Sequence, residues 1–141
     1  MILYLDTSSL IKLYVDEIGS EEVRQQVERA EVIATSVVAL PEARSALARL
    51  AREAVLTKEG LDTARRELQR DWSSFLKVRV LRRVYERAGE LAEERALRGF
   101  DALHLASFLE VLDRAPDDGV AFSAFDERLN AAVAAECDEP K

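Results

Sequence analysis

Apolar residues follow two rhythms along this chain. The run Ile2-Leu3-Tyr4-Leu5 is continuously apolar, ends in Asp6, and is followed at once by Thr7-Ser8-Ser9. Short unbroken runs of this kind read as strands buried on both faces of a parallel sheet. Glu31-Val32-Ile33-Ala34-Thr35-Ser36 is β-branched and apolar and predicts a second strand. Phe75 to Val80 alternates and predicts a short third strand at an edge; Val120-Ala121-Phe122-Ser123 predicts a fourth.

Between these runs the spacing is helical. Ser9 to Val15 predicts a helix capped by its opening hydroxyl residues. Gly19-Ser20 stops one segment and caps the next, which is expected to run to about Ala30 with Glu21 and Glu22 in its dipole-favoured first turn. Val38 to Arg52 forms a long helix with Pro41 in its first turn, where a missing N–H costs little, and with Leu40, Ala43, Leu47 and Leu50 on one face. Thr57 caps a helix from Lys58 to Ser73, whose stripe of Leu61, Ala64 and Leu68 continues to Trp72, so Trp72 is expected in the core. Further helices are expected over Leu81 to Leu97, Phe100 to Leu112 and Arg128 to Glu136, with a turn at Pro116-Asp117-Asp118-Gly119 and a frayed polar tail from Cys137. The order β-α-α-β-α-α-β-α-α-β-α predicts a parallel sheet covered on both faces.

A length of 141 residues fits one domain, 1–141, and 48% hydrophobic with 33% charged residues fits an ordinary core under a charged surface. Only three prolines and five glycines argue against long disordered stretches. No apolar run approaches the roughly 20 residues of a membrane span, and a strand beginning at residue 2 leaves no basic start for a signal peptide; a cytoplasmic location is expected. One cysteine and one histidine exclude an internal disulfide and a Cys/His zinc site. Cys137 sits beside Glu136, Asp138 and Glu139, which disfavour a reactive thiolate.

The net charge of −7 runs against phosphate binding. It is unevenly spread, however. Arg44, Arg49 and Arg52 share one segment, and Arg65, Arg66, Arg70, Lys77, Arg79, Arg82, Arg83 and Arg87 make the middle of the chain locally basic. Two readings of these arginines stay open, a nucleic-acid guide and an ordinary solvated face.

Four acids stand at marked places. Asp6 ends the first strand, Glu42 lies in the first turn after the second, Asp101 opens a helix after Gly99-Phe100, and Asp126 follows the last strand. In open α/β sheets ligands bind at the carboxyl edge. Carboxylates gathered there without a cation repel and raise one another's pKa, whereas Mg²⁺ or Mn²⁺ takes hard oxygen ligands, keeps waters and binds phosphate. Asp6, Glu42, Asp101 and Asp126 are therefore expected to converge on divalent metal that activates water and orients a phosphate. Each acid alone also reads as a helix cap or dipole partner.

Four stretches in order resemble the PIN-domain ribonucleases, in particular VapC-type toxins of toxin–antitoxin pairs: Leu3 to Tyr14, Leu40-Pro41-Glu42-Ala43-Arg44-Ser45-Ala46-Leu47, Gly99-Phe100-Asp101-Ala102-Leu103-His104-Leu105-Ala106, and Phe125-Asp126-Glu127-Arg128-Leu129. The resemblance implies a three-layer α/β/α sandwich around a mainly parallel sheet of four or five strands. It implies Mg²⁺- or Mn²⁺-dependent endoribonuclease activity, a homodimer, and a small antitoxin whose tail blocks the active-site groove. It matches Asp6, Glu42, Asp101 and Asp126 to the acidic quartet and gives Thr7 a part in orienting water or phosphate. It makes His104 a packing or hydrogen-bonding residue rather than a general base. Arg44 and Arg49 are the nearest candidates to guide the RNA backbone, and Tyr4, Tyr14 and Phe100 are expected in the core or the groove wall. Two positions depart from the pattern. Ala124 stands where relatives carry Thr or Ser two residues before the last acid, and no clear strand follows the closing helix.

Two other classes compete. Haloacid-dehalogenase-like phosphatases place a second acid two residues after the first, where this chain has Ser8. A catalytically silent interaction module has no reason to keep four acids at one edge.

Overall fold

The computed structural model describes residues 1–115 and 119–138. Four strands, β1 (Ile2–Leu5), β2 (Val32–Ser36), β3 (Leu76–Val78) and β4 (Val120–Ser123), form one parallel sheet in the order β3-β2-β1-β4. β1 is central: Ile2 pairs with Val32 on one side and with Val120 on the other, and β3 joins β2 through Ala34–Leu76 to Ser36–Val78. Among the described residues no strand follows the last helix. The turn expected from Pro116 to Asp118 lies outside the described residues.

Strand alternation divides the core into two layers. Leu3 and Leu5 point to one face, where they meet Leu10, Val15, Val23, Ala43, Leu47, Ala64 and Leu68. These come from α1 (Thr7–Leu10, continued as a 3₁₀ turn over Ile11–Leu13), α2 (Ser20–Arg29), α3 (Ala39–Arg52) and α4 (Lys58–Trp72). Tyr4 and Ala34 point to the other face, against α5 (Arg82–Arg95), α6 (Gly99–Arg114) and α7 (Glu127–Asp138). α6 is buried along most of its length, which its run of Ala102, Leu105, Ala106, Phe108, Leu109 and Val111 requires. The result is a three-layer α/β/α sandwich.

Local chemistry sets the boundaries. The first helix begins at Thr7, two residues before the expected Ser9, because Asp6 itself is the cap: its Oδ1 accepts the Ser9 N–H at 3.0 Å. Thr57 Oγ1 caps α4 by accepting the Gly60 N–H at 2.9 Å. α5 ends at Arg95 because Ala96 turns left-handed, with φ 53°. The third strand shrinks to three residues because only these pair with β2.

Candidate active site

Asp6 is anchored at both backbone and side chain. Its N–H donates to the Ser123 carbonyl at 3.1 Å, which carries the β1–β4 ladder one residue past β1. Its Oδ1 accepts the Ser8 hydroxyl at 2.7 Å and the Ser9 N–H at 3.0 Å. Oδ2 has no hydrogen-bond partner among the described residues. The residue is 4% exposed, and burial raises its carboxyl pKa against the two hydrogen bonds that lower it.

Thr7, Glu42 and His104 form a closed triangle. Thr7 Oγ1 donates to Glu42 Oε1 at 2.7 Å, while His104 Nε2 lies 3.0 Å from Thr7 Oγ1 and 2.9 Å from Glu42 Oε1. Thr7 has one hydrogen and an ionised Glu42 has none, so Nε2 carries the hydrogen of the remaining two contacts. In the neutral ring Nδ1 then accepts from the Tyr4 hydroxyl, 2.9 Å away. Burial opposes the charge on Glu42, but the hydrogen bonds from His104 and Thr7 outweigh it and hold its pKa below the usual value. Tyr4 is fully buried, and burial pushes its phenol well above its ordinary range.

Asp101 lies in the first turn of α6 and Asp126 in the loop that starts α7. Burial and then the charge of Asp126 raise the Asp101 carboxyl, with Arg98 and His104 pulling against them and Glu42 adding to the rise. Asp101 in turn contributes to the rise at Asp6. The four acids therefore share one electrostatic field at the carboxyl edge of the sheet. Asp126 Oδ1 accepts the Leu129 N–H at 2.8 Å as the cap of α7. Ala124 supplies no hydroxyl beside it, and the nearest one, on Ser123, is bonded to Ser9 Oγ at 2.8 Å.

The donors are all hard carboxylate oxygens. Among the described residues no three His, Cys, Asp or Glu side chains close into a compact ligand cluster. Hard oxygen donors of this kind are the type that Mg²⁺ or Mn²⁺ takes, together with water and phosphate. Two adjacent carboxyls whose charge is disfavoured are the surroundings in which such a cation is stabilising.

Several sequence expectations change in space. The basic middle is largely neutralised: Arg65 pairs with Asp62, Arg70 with Asp71, Arg82 with Glu86, Arg83 with Glu110 and Arg87 with Asp113. Arg49 is exposed and reaches Glu53 at 4.0 Å, whereas Arg44 is exposed with no ion-pair partner among the described residues. Of the two places open to Phe100, core or groove wall, it takes a wall: it is 56% exposed and lies with Tyr85, Gly89 and Ala92 along a shallow apolar groove. Trp72 is only half-buried, packing edge-on to Phe75 at the rim of the α1–α4 layer.

Sequence reasoning missed Ser8, which donates to Asp6 and accepts the Phe125 N–H at 3.1 Å, joining the first acid to the loop of the last. It also missed the support under that loop. The Phe125 ring rests against Gly19, and Lys12 Nζ lies 4.5 Å from the ring centre. A hydroxyl two residues after Asp6 and a glycine before α2 were the available signals.

A central parallel strand thus delivers Asp6 to an edge that carries three further acids, with the Thr7–Glu42–His104 triangle beside it. Residues 3–134 match the PIN domain family model, and the chain belongs to that family. Within it, the chain is similar to ribonuclease VapC45 of Mycobacterium tuberculosis (strain CDC 1551 / Oshkosh), 37% identical over 137 residues that cover 96% of this chain and 92% of that protein. The same figures, 37% over 137 residues with 96% and 92% covered, hold for ribonuclease VapC49 of M. tuberculosis (strain ATCC 25618 / H37Rv). Two solved structures share the fold. M. tuberculosis VapC20, described as a sarcin-ricin loop cleaving toxin, superposes with a TM-score of 0.63 at 21% identity, over 92% of this chain and 94% of that one. PAE2754 of Pyrobaculum aerophilum gives 0.64 at 23% identity, over 94% and 79%.

Proposed function

We propose that this chain is a metal-dependent endoribonuclease of the VapC type, the toxin of a toxin–antitoxin pair, acting in the cytoplasm as a homodimer and restrained by a small antitoxin in its acidic groove. The observation that carries this reading is the gathering of Asp6, Asp101 and Asp126 at the edge where β1 ends: burial and the charge of Asp101 raise the Asp6 carboxyl, and burial and the charge of Asp126 raise that of Asp101. Membership of the PIN family and 37% identity to two VapC ribonucleases support it. No helix among the described residues is long and apolar enough to cross a membrane.

Asp6 and Asp101 would hold the cation, Mg²⁺ or Mn²⁺, with Asp126 and Glu42 completing or supporting its surroundings. When bound, the ion neutralises phosphate charge and lowers the pKa of water. The chain's own residues do the rest. Ser8 and the Ser9 N–H fix Asp6 Oδ1, so that Oδ2, which has no hydrogen-bond partner among the described residues, would be the atom left for the cation. Thr7 and His104 orient Glu42 and keep it ionised beside the other acids. Arg44 and Arg49, exposed on α3, draw in the RNA backbone.

The test is a cleavage assay on tRNA, ribosomal RNA and single-stranded oligonucleotides with Mg²⁺ or Mn²⁺, with Asp6→Ala as control. Discrete cuts made by the wild type and absent in the variant are expected. Equal cutting by both proteins would overturn the reading.

A further inference from the structure

A second concave site lies at the same end of the molecule. α3 leaves β2 at the acid-bearing edge, and its first two turns carry Glu42 on one flank and Leu40 with Arg44 on the other, about 200° around the helix. Leu40 and Arg44 line a cleft of about 590 Å³, closed from the α4 side by Arg65, Arg66, Gln69 and Trp72. This is room for one nucleotide or two.

The lining chemistry is uneven. Arg65 is tied to Asp62 at 2.6 Å, and this acid also borders the cleft, so that corner is locally neutral. Among the described residues, Arg66 meets only the Thr63 hydroxyl, at 3.4 Å, and Arg44 has no ion-pair partner. Two available guanidinium groups, one indole and one amide thus share a single concavity in a chain of net charge −7. Guanidinium groups take phosphate, an aromatic ring stacks with any base, and a carboxamide reads a base edge. Trp72 is half-buried: it packs against the core beside Phe75, with Lys77 Nζ 5.7 Å from its ring centre, and it also lines the opening.

We propose that this cleft is a subsite for single-stranded RNA flanking the scissile phosphate, with Trp72 stacking on a base and Arg44 and Arg66 on the backbone phosphates. The proposal rests on the ribonuclease reading above for its biological setting but not for its test. A strand rounding the amino-terminal tip of α3 joins the cleft to Glu42. The cleft, rather than the acid edge, then supplies selectivity for sequences that present an unstacked base at that distance. An acidic protein segment is the competing occupant.

Trp72 is the single tryptophan, so indole fluorescence reports this cleft alone. The full chain is titrated in EDTA with a 2′-O-methyl oligouridylate about eight nucleotides long, and binding is followed in parallel by anisotropy of a labelled copy. Saturable quenching is expected. The double variant Arg44→Ala/Arg66→Ala should bind at least about tenfold more weakly, with the salt dependence of log K shallower by about 1.4, or about 0.7 per lost phosphate contact. Trp72→Phe should keep most of the binding and Trp72→Ala lose about tenfold. If Trp72→Ala does not fold, the two exposed arginines still decide the question.

Unchanged fluorescence, or binding indifferent to both arginines, would overturn the subsite. So would displacement of the oligonucleotide by a glutamate-rich peptide at lower concentration than by unlabelled RNA, which would make the cleft a protein interface. A separate cleavage assay with Mn²⁺ distinguishes the two readings. Cleavage without quenching removes the subsite and leaves the nuclease; quenching without cleavage of any RNA does the reverse.

Discussion

The Thr7 hydroxyl donates to Glu42 Oε1 at 2.7 Å, a bond spanning 35 residues that ties the loop of the first acid to the helix of the second. A near-isosteric Thr7→Val removes the donor and leaves Glu42 with only His104. Loss of one such bond costs about 1 kcal/mol of stability. Because the bond orients an acid at the reacting edge, cleavage should fall further, by about tenfold or more in kcat/KM. Thr7→Ser should restore most of it. Activity unchanged in Thr7→Val would leave the hydroxyl a purely structural part.

The acids give opposite pH signatures. Asp6 and Asp101 are raised, chiefly by burial, so the stability they contribute is present below the unfolded carboxylate range and lost as pH rises through their native values. Glu42 is lowered by His104 and Thr7 despite its burial, so its contribution is present above the unfolded value and lost as pH falls through the native one. Asp6→Asn keeps a side-chain oxygen for the Ser9 N–H but removes the buried charge. Without metal, Asp6→Asn should melt higher than the wild type at neutral pH, and the gap should close as pH falls into the carboxylate range. Thermal melts from about pH 4 to about pH 8 measure this. A variant that melts lower throughout would show that the charge at Asp6 is not a source of instability.

Tyr4 and His104 form the buried end of the polar chain. Tyr4→Phe leaves Nδ1 of a 2%-exposed ring without its donor, at an expected cost of about 1–3 kcal/mol in denaturant melts. His104→Ala adds a cavity and frees Glu42 from one of its two donors, so stability and cleavage should both fall. If Tyr4→Phe lost cleavage while melting normally, the phenol would have a role beyond holding the ring.

Gly19 has φ +95°, and a Cβ built there would lie 2.6 Å from the Phe125 ring. Gly19→Ala is therefore strained twice, in its backbone and against a ring one residue before Asp126, and should destabilise by about 1–3 kcal/mol. Adding Phe125→Ala relieves only the second strain, so the two changes should be non-additive in a double-mutant cycle. Strict additivity would mean that the ring does not press on this loop.

Much of the architecture was legible because single residues carried it. The alternation of Leu3 and Leu5 against Tyr4 marks a strand buried on two faces, and Thr57 marks a helix start. The first helix begins before the Ser9 that its apolar spacing points to, because Asp6 both ends the strand and, through its side chain, caps the helix. Trp72 fits the apolar stripe of α4, but periodicity does not tell an inner helix from an outer one. At the site, strand ends and helix starts brought four acids to one edge, but their hydrogen bonds were not readable. Glu42 and His104 are 62 residues apart, and Ser8 was noted only as the absence of an acid. In the arginine-rich middle, Arg65, Arg70 and Arg82 pair with acids close by in the chain, but the counter-charges of Arg83 and Arg87, Glu110 and Asp113, lie on another helix.

The central claim is that carboxylates at this edge act through a divalent ion on RNA. The most direct measurement is cleavage of one responsive RNA by wild type and Asp101→Asn, with EDTA and then with excess Mn²⁺. The account expects wild-type cutting that stops with EDTA and returns with Mn²⁺, and a folded Asp101→Asn that stays inactive under both conditions. Cutting that survives full chelation, or undiminished cutting by Asp101→Asn, would contradict it.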